Sequence, residues 1–183
     1  PAPQASDDWS IKPRGRIQFD AGTVSTPPGI VGLKTDLTGE VRRAFIGVDV
    51  KMPAGFAFRA EVDLATEKVT FTDLFLSYKA SNALTLMLGQ AKPAWGLEEQ
   101  TSDLFPTFTE RASFNSAFGH ERQAGFGATW IQGPWLAQAG VYTANLFDMD
   151  KNGERPITLL GRVVYMPKIG DGRLHLGASV HRR

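Results

Sequence analysis

The chain has 183 residues, 42% hydrophobic and 21% charged, which is ordinary for a globular domain. Its 20 basic and 19 acidic side chains leave a net charge of +1, so no bulk electrostatic case for nucleic acid survives, and the lack of cysteine excludes a disulfide framework and thiol catalysis. No run of about eighteen apolar residues is present, which excludes a membrane-spanning helix but not a spanning barrel, whose strands alternate and never sum to a hydropathy peak.

Residues 1–13 read as a polar leader whose start, Pro-Ala-Pro-Gln-Ala-Ser-Asp-Asp, resembles a processed terminus. Residues 14–22 then set Arg14, Arg16, Gln18 and Asp20 against Ile17, Phe19 and Ala21, which is the period of a strand. Pro27-Pro28-Gly29 marks a turn-rich loop at 23–39, and alternation returns at 40–52, where Arg43, Asp49 and Lys51 oppose Ala44, Ile46, Val48 and Val50. After the tight turn 53–55, residues 56–64 oppose Arg59, Glu61 and Asp63 to Phe58, Ala60, Val62 and Leu64. Residues 69–79 carry Asp73, Ser77 and Lys79 on the polar parity, Ser81-Asn82 turns the chain, and 84–91 alternates Leu84, Leu86 and Leu88 with Thr85, Met87 and Gly89.

Segment 95–118, WGLEEQTSDLFPTFTERASFNSAF, interrupts this rhythm. Long connections in a domain of short ones are disproportionately functional. Beyond it, strands are expected at 122–130, 135–144, 158–165 and 173–181, the last with Arg173, His175 and His181 on one parity and Arg162 on the polar parity of its predecessor. The pattern predicts an all-β chain of about nine strands without a helix.

Alternation alone also suits a soluble sandwich with one wet face. Three features favour a transmembrane up-and-down barrel: short turns at 53–55, 66–68 and 81–82 against long loops at 23–39, 95–118 and 147–156; Tyr78, Trp130, Trp135 and Tyr165 near strand ends; and polar-parity sites that include glycine and charges of both signs. A charge on the lipid parity at mid-bilayer would cost about 2–4 kcal/mol, and no segment centre carries one.

The runs EVRRAFIGVDVKMPAGFAFRAEVDLA and FTDLFLSYKASNALTLMLGQAKPAWGLEEQTSDLFPTFTERASF resemble the phosphate-selective porin O and P family of Gram-negative outer membranes. The markers are the pair Arg42-Arg43, Asp73, Gly89-Gln90, Gly96-Leu97-Glu98 and Glu110-Arg111. The resemblance implies a sixteen-stranded, usually trimeric barrel in the bacterial outer membrane, of which residues 14–183 are an N-terminal part, with 95–118 as an inward-folded constriction loop. The expected partners are outer-membrane lipid, lipopolysaccharide and small anionic or hydrophilic solutes, with no cofactor. Arg42, Arg43, Asp73 and Arg111 match constriction residues, and Glu98, Glu99, Ser102, Asp103 and Glu110 join them by position in the loop. There are two departures: Glu99 and Leu104 stand where phosphate-selective members carry lysines, and the chain stops at His181-Arg182-Arg183 instead of a strand with a terminal aromatic.

Arg14, Arg16, Arg43, Arg59, Lys79, Arg162 and Arg173 share one parity and would line the lumen, handing anions along or simply pairing with Asp20, Asp49, Glu61, Asp63 and Asp73. Arg42 falls on the opposite parity, so it lies at the rim or a bulge turns both arginines inward. The loop's four carboxylates and one arginine sum to −3, the wrong sign for a phosphate filter, which favours a general or modestly anion-preferring pore. Competing readings are a structural or adhesive barrel and a soluble all-β binding domain. Enzyme chemistry is not expected: no motif frames a serine beside His120, His175 or His181, and the pair Glu98 and Glu110 reads as solvated loop charge. His175 and His181 lie about 20 Å apart by strand rise, too far for one metal. The D-x-D-x-N-G-like spacing at 148–153 lacks the rest of a calcium loop.

Overall fold

The computed structural model describes residues 8–23, 37–66, 68–105, 108, 110–118, 122–147 and 157–183. The Pro27-Pro28-Gly29 turn, His120, the first seven residues of the leader and the calcium-like spacing at 148–153 lie outside the described residues. In chain order the strands are β1 (Ser10–Gly22), β2 (Thr38–Lys51), β3 (Phe56–Asp63), β4 (Thr70–Lys79), β5 (Leu84–Ala91), β6 (Gln123–Gln132), β7 (Trp135–Tyr142), β8 (Thr158–Tyr165), β9 (Lys168–Ile169), β10 (Gly172–Arg173) and β11 (Leu176–Arg182). All but β9 and β10 form one nine-stranded antiparallel sheet in the order β1-β2-β3-β4-β5-β6-β7-β8-β11. Each strand therefore pairs with its neighbour in sequence, an up-and-down meander whose edges are β1 and β11. The sheet is not closed.

The two faces are inverted relative to a water-soluble protein. On β1 the apolar parity is open, with Ile11 68%, Ile17 81% and Phe19 65% exposed, while Arg14, Arg16, Gln18 and Asp20 on the other parity are half-buried. The same holds across the sheet: Ile46, Leu76, Leu88, Phe126, Val141, Leu159 and Val163 are exposed, whereas Glu61, Thr72, Gln90 and Arg162 are buried. Nine strands spaced about 4.8 Å apart make this apolar face on the order of 1,000 Å². Soluble monomers rarely expose contiguous patches beyond a few hundred Å². Trp9, Phe56, Tyr78, Trp130, Trp135 and Tyr165 all lie on this face at one rim, with ring centroids of Phe56 and Tyr78 4.7 Å apart and those of Trp135 and Tyr165 4.5 Å apart.

Several expectations are corrected. Two short helices, α1 (Leu97–Gln100) and α2 (Ser113–Phe118), stand in the long segment where none was expected, because four and six residues are too few to show a helical period. β1 begins at Ser10, and the last strand begins at Leu176; Arg173 pairs instead with Lys168 in the β9–β10 hairpin, which Pro167 and Gly170 set apart. The 66–68 connection shares a rim with the long loops, and the 166–175 connection lies on the short-turn rim, so loop lengths alternate less strictly than expected.

Two bulges adjust the polar face. Gln18 pairs with Arg43 and Phe19 with Val41, which leaves Arg42 as the extra residue of β2. Between Ala60–Leu74 and Val62–Phe71, β4 contributes Thr72 and Asp73 against Glu61 alone. Each bulge brings two adjacent side chains to one face.

Candidate functional site

The polar face carries a continuous chain of ion pairs. Arg14 Nη1 lies 2.9 Å from Asp49 Oδ2 and its Nε 3.3 Å from Glu61 Oε2. Arg59 donates to both oxygens of Asp49 at 2.7 and 3.2 Å and approaches Asp73 at 3.8 Å; Arg122 Nε donates to Asp73 Oδ1 at 2.9 Å. This links β1, β2, β3 and β4 to Arg122, the residue just before β6. Two arginines also lie over rings on the same face, Arg16 over Phe45 at 4.6 Å and Arg59 over Phe75 at 5.6 Å, an arrangement that stiffens a long cationic side chain. Thr72 Oγ1 donates to Glu61 at 3.1 Å.

The segment between β5 and β6 folds first upon itself. Arg111 donates to Glu99 Oε2 at 2.9 Å and to the carbonyl of Thr101 at 2.8 Å, placing a cation at the C-terminal end of α1. Glu98 accepts from the Ala112 N–H at 3.0 Å and from Asn115 Nδ2 at 2.6 Å, tying the start of α2 back to α1. Glu99 is buried and held by Lys92 Nζ at 2.8 Å and by Arg111. Ser102 braces the following turn, its carbonyl accepting from the Phe105 N–H at 3.0 Å.

The folded segment is then fixed to the wall at two places of different chemistry. On one side Asp103 receives Arg111 Nη2 at 2.5 Å, Arg16 Nη2 at 3.2 Å and Arg43 Nε at 3.3 Å, so one carboxylate joins the segment to β1 and β2. Burial pushes this carboxyl up, but the charges of Arg43, Lys92, Arg111 and Arg16 outweigh it and hold the group below the ordinary carboxylate range. Arg42, turned to the same face by its bulge, donates to Asp20 at 2.8 Å and to Glu110 of the segment.

The second anchor is aromatic. Trp95 is buried against Tyr142 and Leu160, with Met87 packed beside them, and its ring lies 5.1 Å from Phe114 and 5.9 Å from His181. Tyr142 can lie flat there because its neighbours are glycines. A Cβ on Gly140 would sit 2.4 Å from Tyr142 Cε2, and one on Gly125 would sit 2.6 Å from Tyr142 Cδ1. The segment thus crosses the polar face from the β8–β11 side to β1. Gln90, fully buried, supports the near end: its amide donates to the carbonyls of Phe71 and Thr72, beside the β4 bulge, and accepts from the Leu146 N–H at 2.8 Å.

Between the segment and the wall lies a cavity of about 480 Å³ lined by six cations (Arg14, Arg16, Arg59, Lys92, Arg111, Arg122) and four carboxylates (Glu61, Asp73, Glu99, Asp103), a surplus of two positive charges. Of the sequence-predicted site residues, Arg14, Arg16, Arg43, Arg59, Asp73, Glu99, Ser102, Asp103 and Arg111 gather at or beside it. Glu98 is spent inside the segment, and Arg42 and Glu110 pair nearer the rim. Arg162 lies elsewhere on the face, buried and donating to Gln138 Oε1 at 3.1 Å; Lys79 is exposed towards the short-turn rim, and Arg173 is in the separate hairpin. Lys92 and Arg122 were missed by sequence reasoning. Their signal was position, since they border an acidic segment at the end of one strand and the start of the next. Among the described residues no group of three or more potential metal ligands gathers.

A model of the family described as phosphate-selective porin O and P matches residues 11–183. An uncharacterized protein of Caulobacter vibrioides is 36% identical over 186 residues, covering 97% of this chain and 38% of that protein. The chain thus spans less than two fifths of the length of the curated relative it matches. With the match covering nearly the whole chain, from the first strand to the last residue, the chain belongs to the phosphate-selective porin O and P family.

Proposed function

We propose that this chain is the N-terminal part of an outer-membrane porin, residues 14–183 forming the first half of a sixteen-stranded barrel and 95–118 its constriction. The observation that carries this reading is the inverted sheet: an apolar outer face with an aromatic row at one rim, and a charged inner face crossed by its own loop. A sheet with these faces finds its solvent in a bilayer, and its unpaired edges at β1 and β11 require further strands, since hydrocarbon does not tolerate open edges. The lipid contacts are then outer-membrane phospholipid and lipopolysaccharide, and the working assembly is a homotrimer.

The solutes are small and hydrophilic, with a modest preference for anions. The loop's own negative charge does not set the preference, because Glu98, Glu99 and Asp103 are engaged in holding the loop, and the space beneath it keeps a cationic surplus. The test is the complete porin in planar bilayers under a salt gradient. Open-channel current with a reversal potential on the anion side is expected, and Arg43→Ala moves it towards zero. Absence of current would favour a structural or adhesive barrel, and strong cation preference would overturn the anion reading.

A further inference from the structure

Three guanidinium groups converge on Asp103, and they are poorly satisfied by it. Arg16 gives it one hydrogen bond, 3.2 Å long, and the Nε of Arg16 is buried with no hydrogen-bond partner among the described residues. Arg43 reaches it only as an ion pair at 3.3 Å, and its one hydrogen bond to a side chain among the described residues goes to neutral Gln18. Arg111 alone makes a short contact, at 2.5 Å. A guanidinium carries five donors and a carboxylate two oxygens, so a planar two-oxygen anion leaves most of this donor set unused. Asp103 Oδ1 and Oδ2 stand where two oxygens of a small oxyanion would stand, and they arrive on a loop, at high effective concentration.

We propose that Asp103 is a tethered pseudo-ligand: it occupies an oxyanion site made by Arg16, Arg43 and Arg111, keeps that site from retaining solute anions, and is displaced from the wall when a tetrahedral oxyanion such as inorganic phosphate takes its place. This rests on the porin reading for its physiological meaning, but the site itself is a property of these side chains. Two consequences follow. The masked site binds free phosphate weakly, so anions pass by exchange with Asp103 and are not held. Displacement also exchanges Asp103 for the bound anion at one end of the loop, where Arg111 still faces Arg16 and Arg43 and Glu110 still pairs with Arg42, while Trp95 on Tyr142 holds the other end, so the loop shifts and does not unfold. Glu99 is not the pseudo-ligand, because it binds Lys92 and Arg111 within the loop segment and its bordering strand end and touches no wall arginine.

The test is a calorimetric titration of the complete, detergent-purified porin with inorganic phosphate, comparing wild type with Asp103→Asn, which keeps the shape of the side chain and removes its charge. The variant is expected to bind phosphate at least tenfold more tightly, and the gain disappears when Arg16→Gln and Arg43→Gln are added. Equal affinity in wild type and variant, or a gain that survives loss of both wall arginines, overturns the proposal. The readout does not depend on conductance, so a protein that binds phosphate as described yet passes no current would sink the porin reading alone.

Discussion

Asp103 concentrates the electrostatics of the site in one side chain. Its carboxyl is depressed in the folded state, so the stabilisation it lends to loop docking is fully present above the unfolded value of about 3.9 and is lost as pH falls through the lower folded value. Pepsin cleavage at Leu104-Phe105, normalised to a free peptide of the same sequence, is therefore expected to stay slow from pH 5 to about 4 and to rise below that; in Asp103→Asn the profile is flat. The aromatic anchor gives a steric counterpart. Gly140→Ala puts a methyl 2.4 Å from the Tyr142 ring and is expected to cost about 1–3 kcal/mol, measured by urea unfolding in lipid vesicles. Combined with Tyr142→Ala the two changes are less than additive, because the clash exists only while the ring is there. Neither anchor was legible in the sequence. Arg16 and Asp103 are 87 residues apart, and a glycine on a strand parity does not announce the ring it accommodates.

Strands, by contrast, were read well because their signal is local: a period of two persists within any eight residues, and all nine strands of the sheet fall where alternation put them, with ends shifted by a few positions. The helices of the loop escaped notice, since one turn of helix has no period to display. Arg42 was ambiguous for a definite reason, as its parity excluded the inner face unless the strand carried an extra residue. The register of β1 against β2 supplies that residue. Deleting Arg42 therefore heals the ladder, leaving Gln18 opposite Arg43 and Phe19 opposite Val41 with no side chain changing face. The deletion variant is expected to fold and to keep heat-modifiable gel mobility, losing only the contacts to Asp20 and Glu110. Deleting Val48, in regular register six residues from the bulge, puts residues 43–47 on the wrong face even where the bulge takes up the lost residue, and is expected to abolish folding.

At the scale of the whole molecule, the faces favour one of two classes that alternation could not separate. A soluble sandwich and a membrane wall have the same sequence rhythm; they differ in which parity is covered. Here the covered parity is the charged one, sheltered by its own loop, and the open parity carries the leucines, valines and isoleucines. The acidity of the loop read as a filter of the wrong sign for anions, yet three of its four carboxylates serve as fastenings against arginines, a lysine, the Ala112 N–H and the Asn115 side chain, and the fourth pairs with Arg42 at the rim.

The absence of cysteine from these 183 residues makes their sidedness measurable by introducing one. Leu76 and Ser77 are neighbours on β4 that face opposite sides, and Leu76 is 39% exposed, so in a water-soluble protein a cysteine at that position is reachable from solution. In intact outer membranes, a small membrane-impermeant thiol reagent is predicted to label Ser77→Cys through the lumen and to leave Leu76→Cys unlabelled in lipid. Labelling of both, or of Leu76→Cys alone, would contradict the inverted sheet and with it the porin reading.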